Sequence, residues 1–211
     1  MGLKAVAQSQ SQSQQTDASN NTTYGTPSLN PITTGTANTA IGYYALNSDS
    51  SGGSNTANGA YALSGLTTGS SNTAIGMLAG EYLSNGSTAN VSSDSSVFIG
   101  YNSKAGSQGQ TNEIVIGASA IGAGGNTVTL GNTSITKTVL QGSVGLGTTN
   151  PNAYAILDVT STSKAFVLPR MTTAQKTSGI VTPVSGMLVY DTTLNKLSVY
   201  GGASWETVTS V

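Results

Sequence analysis

The chain repeats itself, and the repeat restricts the fold more than anything else in it. Asn38-Thr-Ala-Ile-Gly42, Asn55-Thr-Ala-Asn-Gly59 and Asn72-Thr-Ala-Ile-Gly76 align without gaps, each copy starting 17 residues after the last. A fixed period of this size marks an architecture whose units bury their faces only against their neighbours. The match continues downstream through Ala45-Leu46, Ala62-Leu63 and Ala79-Gly80. Val97-Phe-Ile-Gly100 follows with its Gly 24 residues after Gly76, so one loop is longer by about the excess over 17. Ile114-Val-Ile-Gly117 restores the step of 17, and Val128-Thr-Leu-Gly131 and Ser143-Val-Gly145 come at steps of 14.

A helical repeat would show apolar residues at spacings of three and four and would avoid this much Gly, Thr and Asn. Here the apolar groups are short and suited to strands, and each is followed by a Gly fit for a turn or a close backbone approach. A short strand, a turn, a second short strand and a loop use up one period. The chain then returns one strand spacing higher, about 4.8 Å. Stacking places Ile41, Ile75, Ile99, Ile116 and Leu130 in one buried column, and Asn38, Asn55 and Asn72 in an amide ladder, side chain to side chain. Gly42, Gly59, Gly76, Gly100, Gly117 and Gly131 form the turn column. Asn58 interrupts the Ile column, so it points outward or has a buried partner. Each coil holds only two or three apolar residues, so several chains, three by this reading, are expected to share a core. A single-chain solenoid with capped ends is the alternative.

Charged residues make up 7% of the chain and the net charge is -1, so no basic stripe for nucleic acid exists. No apolar run is long enough to span a membrane as a helix. The opening MGLKAVAQSQ lacks the apolar core of a secretory signal, so classical secretion is not expected. With no Cys and no His, disulfides, thiol nucleophiles, imidazole bases and the usual zinc ligands are absent. No cofactor or metal is expected, and oligomerisation is the available staple.

The Asn-Thr-Ala-Ile-Gly-x-x-Ala-Leu repeat over roughly residues 36–148 is similar to the head repeats of trimeric autotransporter adhesins and to the shafts of many phage tail and head fibres. That resemblance implies an all-β fold: a trimeric left-handed parallel β-roll, or β-solenoid, followed by a small β-rich C-terminal module. A second resemblance starts at Val144-Gly-Leu-Gly-Thr-Thr-Asn-Pro151 and runs through Leu157-Asp-Val159. It looks like a junction found in phage fibre and Bacteroidetes surface proteins. Leu168-Pro-Arg-Met-Thr-Thr-Ala-Gln175, Gly186-Met-Leu-Val-Tyr-Asp191, Asn195-Lys-Leu197 and Trp205 are similar to the terminal module that often follows it. In relatives an intramolecular chaperone domain often comes later; none is expected here, and the lack of an anchor barrel favours a particle fibre over an autotransporter.

Read from its own residues, the last third has a strand at Ala165–Leu168 ended by Pro169, and a short helix capped by Thr172 and closed by Gly179. Strands follow at Met187–Tyr190 and Lys196–Tyr200, joined by the loop 191–195, and then at Ser204–Val208. The expected divisions are 1–30, a low-complexity arm that anchors to a particle; 31–149, the repeat shaft; and 150–211, a tip or trimerisation module.

Eight carboxylates are present, and no two have a spacing that suggests an acid/base pair, so catalytic residues are not assigned and the chain is read as a non-enzyme. Asp49 and Asp94 are read as solvated loop acids rather than calcium ligands. Tyr43, Tyr44, Tyr61, Tyr82 and Tyr101 are read as packing between chains ahead of sugar stacking, and Tyr190, Tyr200 and Trp205 as candidate receptor contacts. Arg170 is expected to cap the shaft or to pair with Asp191 of a neighbouring chain.

The expected function is a structural fibre of a phage particle, a tail or head fibre located on the virion, that mediates attachment to the host cell surface. Its partners would be two further copies of itself, other virion proteins through the arm, and a host glycan or protein; neither nucleic-acid binding nor membrane insertion is expected. A bacterial cell-surface or extracellular-apparatus trimeric adhesin is the alternative, and a glycan depolymerase the third reading.

Overall fold

The computed structural model describes residues 15–17, 19–25, 27–29 and 34–209. Residues 1–14 of the expected arm lie outside them. The chain forms two compact units that divide between Thr138 and Val139.

The first unit is a β-solenoid. Its sheet contains β1 (Gln15–Thr16), β2 (Thr22–Tyr24), β3 (Thr39–Ile41), β4 (Thr56–Asn58), β5 (Thr73–Ile75), β6 (Val97–Ile99), β7 (Glu113–Ile116) and β8 (Thr127–Leu130), in chain order. From β2 to β8 every pairing is parallel, and the partners are the repeat equivalents: Thr39 with Thr56, Ala40 with Ala57, Ile41 with Asn58. At about 4.8 Å per coil these seven strands extend roughly 30 Å. The sheet begins ahead of residue 31, where the shaft was expected to start, and β1 joins β2 antiparallel. The long period is taken up by a hairpin in which Tyr82 bridges Ala89 around Asn85-Gly86.

The interior differs from the expected one by a single residue of register. Ala40, Ala57, Ala74, Phe98 and Val115, the middle residues of their strands, are fully buried. Ala45, Leu46, Ala62, Leu63, Leu66, Ala79, Ala105 and Ala120 complete the core. The Ile column expected inside faces out: Ile41 is 38% exposed, Ile75 44%, Ile116 36% and Leu130 59%, with Ile99 half-buried. Asn58 shares that outer column, which removes the need for a buried partner. The cause is volume. A coil this small has room for Ala on the strand and Leu opposite it, and interiors tolerate no overpacking. Phe98 reaches across to the neighbouring Ala74 coil, where the Leu position is Gly80, whose added Cβ would sit 2.8 Å from the Phe98 ring. Burying Leu46, Leu63, Leu66 and Phe98 contributes about 1.5–3 kcal/mol each.

The Asn ladder is present, but it bonds mainly to backbone rather than to itself. Each Asn Oδ1 accepts the backbone N–H of the next copy: Asn21 from Asn38, Asn38 from Asn55, Asn55 from Asn72 and Asn72 from Ser96, at 2.8–3.0 Å. Each Nδ2 donates to a carbonyl, of Gly35, Gly52, Gly69 and Ser93 in turn. A single side-chain pair, Asn72 Nδ2 to Asn55 Oδ1 at 3.0 Å, matches the expected form. The column ends at Glu113, fully buried, whose N–H reaches Ser96 Oγ and whose carboxylate accepts the N–H groups of Gly106 and Gly124.

The second unit opens with β9 (Val144–Leu146) paired in parallel to β10 (Leu157–Val159), so the two ends of the junction motif meet as strands. A four-stranded sheet follows: β11 (Arg170–Met171), β12 (Leu188–Asp191), β13 (Lys196–Tyr200) and β14 (Trp205–Thr207), in that order. Helix α1 (Thr173–Gly179) lies between β11 and β12 in sequence. Its cap is the expected Thr172, in a full capping box with Gln175. Gly179 is the last helical residue, and Ile180 leaves the helix without a left-handed turn. No strand forms at Ala165–Leu168. That segment has no pairing partner among the described residues, and Phe166 and Val167 are exposed.

Candidate functional site

The second unit assembles its most chemically varied surface around one buried ion pair. Strand β12 ends at Asp191, which turns the loop 191–195 by accepting the N–H groups of Thr193 and Leu194 on Oδ1. Its Oδ2 accepts Thr173 Oγ1 at 2.7 Å and meets Lys176 Nζ at 2.8 Å. Lys176 also donates to Ser198 Oγ at 3.0 Å, which fixes α1 against β13. Both charged side chains are essentially buried. Burial alone would raise the Asp191 carboxyl; the bonds from Lys176, Thr173, Leu194 and Thr193 outweigh it and hold the group well below the usual carboxylate range. Asp191 thus has Lys176 and Thr173 as partners within its own chain, and Arg170, expected to cap the shaft or to pair with Asp191 of a neighbouring chain, lines a separate cleft with Tyr190.

Above this pair stand Tyr200 and Trp205, direct cross-strand partners with ring centres 5.5 Å apart at 61°. Lys176 Nζ lies 5.4 Å from the Trp205 ring centre, over its face. With Ile180, Val181 and Leu194 they line a groove of about 520 Å³. Tyr190, grouped with them in the sequence reading, lines a different cleft of about 410 Å³ with Phe166, Val167, Leu168 and Arg170. Its hydroxyl bonds Asn195 Oδ1. Two of the three candidate contacts thus converge and the third does not. Lys176, Thr173 and Asp191 were not foreseen as members of the site. A lone Lys on a short helix and an Asp at a strand end gave no sequence signal, because their spacing of 15 residues carries no periodicity.

The other carboxylates are used inside the first unit. Asp49, expected to be a solvated loop acid, is buried; its Oδ1 accepts Gly52 N–H at 2.7 Å, and burial raises its pKa to about 6. Burial likewise raises Glu81, which accepts from Ser64 Oγ and Gly65 N–H. Asp94 accepts Ser70 N–H at 2.8 Å. Among the described residues no group of three or more acids is placed to hold a metal ion, and no helix is long and apolar enough to cross a membrane. Tyr43, Tyr44 and Tyr61 pack on one another within the chain, Tyr44 stacked on Tyr61 at 5.3 Å, while Tyr43 and Tyr101 stay about half exposed.

Residues 145–211 match the family model described as the phage tail like trimerisation region. Neither the curated proteins nor the solved structures give a match to this chain. The matched stretch takes in the ion pair, both clefts and all of the four-stranded sheet. Its likeness to a trimerisation region, joined to a solenoid of stacked parallel strands, fits a phage fibre-like structural protein.

Proposed function

We propose that this chain is a homotrimeric fibre protein of a phage particle, a tail or head fibre that attaches the particle to its host. The observation that carries the reading is the outer face of the solenoid. Tyr24, Ile41, Ile75, Ile116 and Leu130 form an exposed column along it, and the neighbouring turn column adds exposed Tyr43, Met77 and Tyr101. Such a stripe, in a chain that ends in a trimerisation-like region, supports a face shared between copies. The repeat residues have distinct parts in this reading. Asn38, Asn55 and Asn72 hold the coils in register, and Gly42, Gly59, Gly76, Gly100, Gly117 and Gly131 let them approach. Ile41, Ile75, Ile99, Ile116 and Leu130 face the partner copies.

Of the segment 1–30 expected to dock on the particle, β1, β2 and the buried Asn21 belong to the solenoid, so docking falls to residues 1–14, whose Gln- and Ser-rich sequence offers little apolar surface for a core. Residues 150–211 register the trimer and present Tyr190, Tyr200 and Trp205 to the host. Sedimentation with light scattering is expected to give three times the 21.1 kDa chain mass. Removing residues 1–14, which leaves β1 and β2 in place, should leave that trimer soluble but absent from particles. A monomer, or normal particle occupancy by the shortened chain, overturns the corresponding part of the reading. Release of reducing sugar from host polysaccharide would contradict the non-enzymatic role.

A further inference from the structure

We infer that the Trp205–Tyr200 groove is a saccharide site whose ligand is an uncharged pyranose of the host surface. This rests on the attachment reading and narrows it to one groove and one ligand chemistry. The volume of about 520 Å³ lies within the range of small-ligand sites and has room for one or two sugar rings. Its aromatic walls stand on paired strands rather than on loops, so their spacing is set before any ligand arrives. An indole face takes the C–H face of a pyranose. Lys176 sits over the Trp205 ring and holds it against α1, and the indole is part of the groove lining where a ligand would stack. Hydroxyls of Ser204, Thr177 and Thr207 line the same groove and match sugar hydroxyls.

Charge selects among sugars. The lysine in the lining would suggest an acidic ligand, but its ammonium is neutralised by Asp191 at 2.8 Å and bonded to Ser198. No other charged side chain lines the groove. An acidic sugar would therefore lose the hydration of its charge without gaining a partner, whereas a neutral one gives up only hydroxyl hydration, which the groove's own hydroxyls can replace.

Trp205 is the only Trp in the protein, so its fluorescence reports this groove and no other place. The full-length protein is screened on an array of neutral and acidic bacterial-surface oligosaccharides, and the hits are titrated by Trp205 emission. A saturable emission change with a neutral saccharide is expected, with acidic analogues binding at least tenfold more weakly. Val181→Arg is the variant of choice, because Val181 is 81% exposed and the change costs no packing within the chain. It should weaken binding at least tenfold with melting and assembly unchanged.

Three results overturn the inference: no neutral hit, equal binding by Val181→Arg, or a preference for acidic sugars. Failure of acrylamide to quench Trp205 until the protein is diluted also overturns it, since the groove would then be filled by a second copy of the chain. Attachment is scored separately with cells that adsorb the particles. Equal cell binding by the wild type and Val181→Arg sinks the groove and leaves attachment standing. Saccharide binding without cell binding does the reverse.

Discussion

The two units solve the problem of a small core in opposite ways. The solenoid builds its interior within one chain: the Ala40 and Ala57 coils each add an Ala, a Leu and an Asn whose side-chain oxygen and nitrogen are both bonded, and the later coils fill the same positions with Phe98, Val115 and the buried Glu113. Among its described residues the C-terminal unit buries one aliphatic side chain, Val189, together with the Lys176–Asp191 pair and Ser198. It leaves Tyr154, Ile156, Phe166, Val167, Val181 and Val184 more than 60% exposed. A unit with that balance cannot offset its chain entropy alone. The difference indicates that the solenoid supplies fold and the terminal unit demands partners, in keeping with its likeness to a trimerisation region.

Separating the units tests this most severely. Residues 1–138 alone should keep a cooperative β-type melting transition even at concentrations too low for copies to associate through the outer face. Residues 139–211 alone should fold only as they associate, with a midpoint that rises with concentration. Circular dichroism across a hundredfold concentration range checks both. A concentration-independent transition in the 139–211 piece would break the comparison.

Next in size is a single turn of the solenoid. Gly76 has φ of +126°, and a Cβ there would lie 2.9 Å from the backbone of Gly100 in the next coil. Gly76→Val should destabilise the first unit by roughly 3–5 kcal/mol, since a β-branched residue resists this φ and pushes the coils apart. Gly53 has ordinary φ, and its Cβ would be 3.2 Å from Thr36 O, so Gly53→Val should cost about 1 kcal/mol. Denaturant melts of the two variants decide it; equal midpoints would contradict the stacking.

Much of this was legible in the repeat, and one error in it is instructive. Period, strand order and register followed from Asn and Gly, residues whose roles are set by backbone geometry. Which side of each strand faces in did not follow, because hydrophobicity favours Ile over Ala and the coil's width, which decides the matter, is a property of the closed turn. Asn58 in the Ile column and Phe98 in the Ala column were the clues. In the second unit Thr172 and Gln175 made the helix readable from local chemistry alone. The Ala165–Leu168 strand failed because β-propensity without a partner edge forms nothing. The Lys176–Asp191 pair was invisible because it depends on how α1 lies on the sheet.

Acid should act on the two units differently. Asp49 has its pKa raised by burial from 3.8 to about 6, so the fold prefers it protonated. Its contribution is complete below the ordinary value and is lost as pH rises through about 6. Lowering pH from about 7 to 5 should therefore stabilise the solenoid, by about 1–3 kcal/mol, with Glu81 acting in the same direction. Asp191 is depressed instead, so its contribution persists down through this window and is lost only in stronger acid. Asp49→Asn should raise solenoid stability at neutral pH and flatten its pH dependence without touching the terminal unit. A wild-type solenoid melt that falls on acidification to pH 5 would refute the assignment.

The smallest expected effect sharpens the account of how the solenoid turns. The residue before each ladder position is left-handed: Asn20, Ala37, Ser54, Ser71, Ser95, Asn112 and Asn126 all have φ between 49° and 60°. This conformation costs an ordinary L-residue about 1–2 kcal/mol, and Asn tolerates it best among residues with a side chain. The column uses Asn at both ends and Ser or Ala between. Ala37 is exposed, and its backbone N–H is already bonded to Ser19 O, so a new side chain there displaces nothing. Ala37→Asn should stabilise the first unit by about 0.5–1 kcal/mol through relief of backbone strain alone. Asn112→Ala should cost about the same, with the added loss of its 3.1 Å bond to Asn126 Oδ1. Because neither change alters the buried core, both should shift the denaturation midpoint and leave the slope of the transition unchanged. A destabilised Ala37→Asn would mean that side-chain crowding, not φ, limits this column.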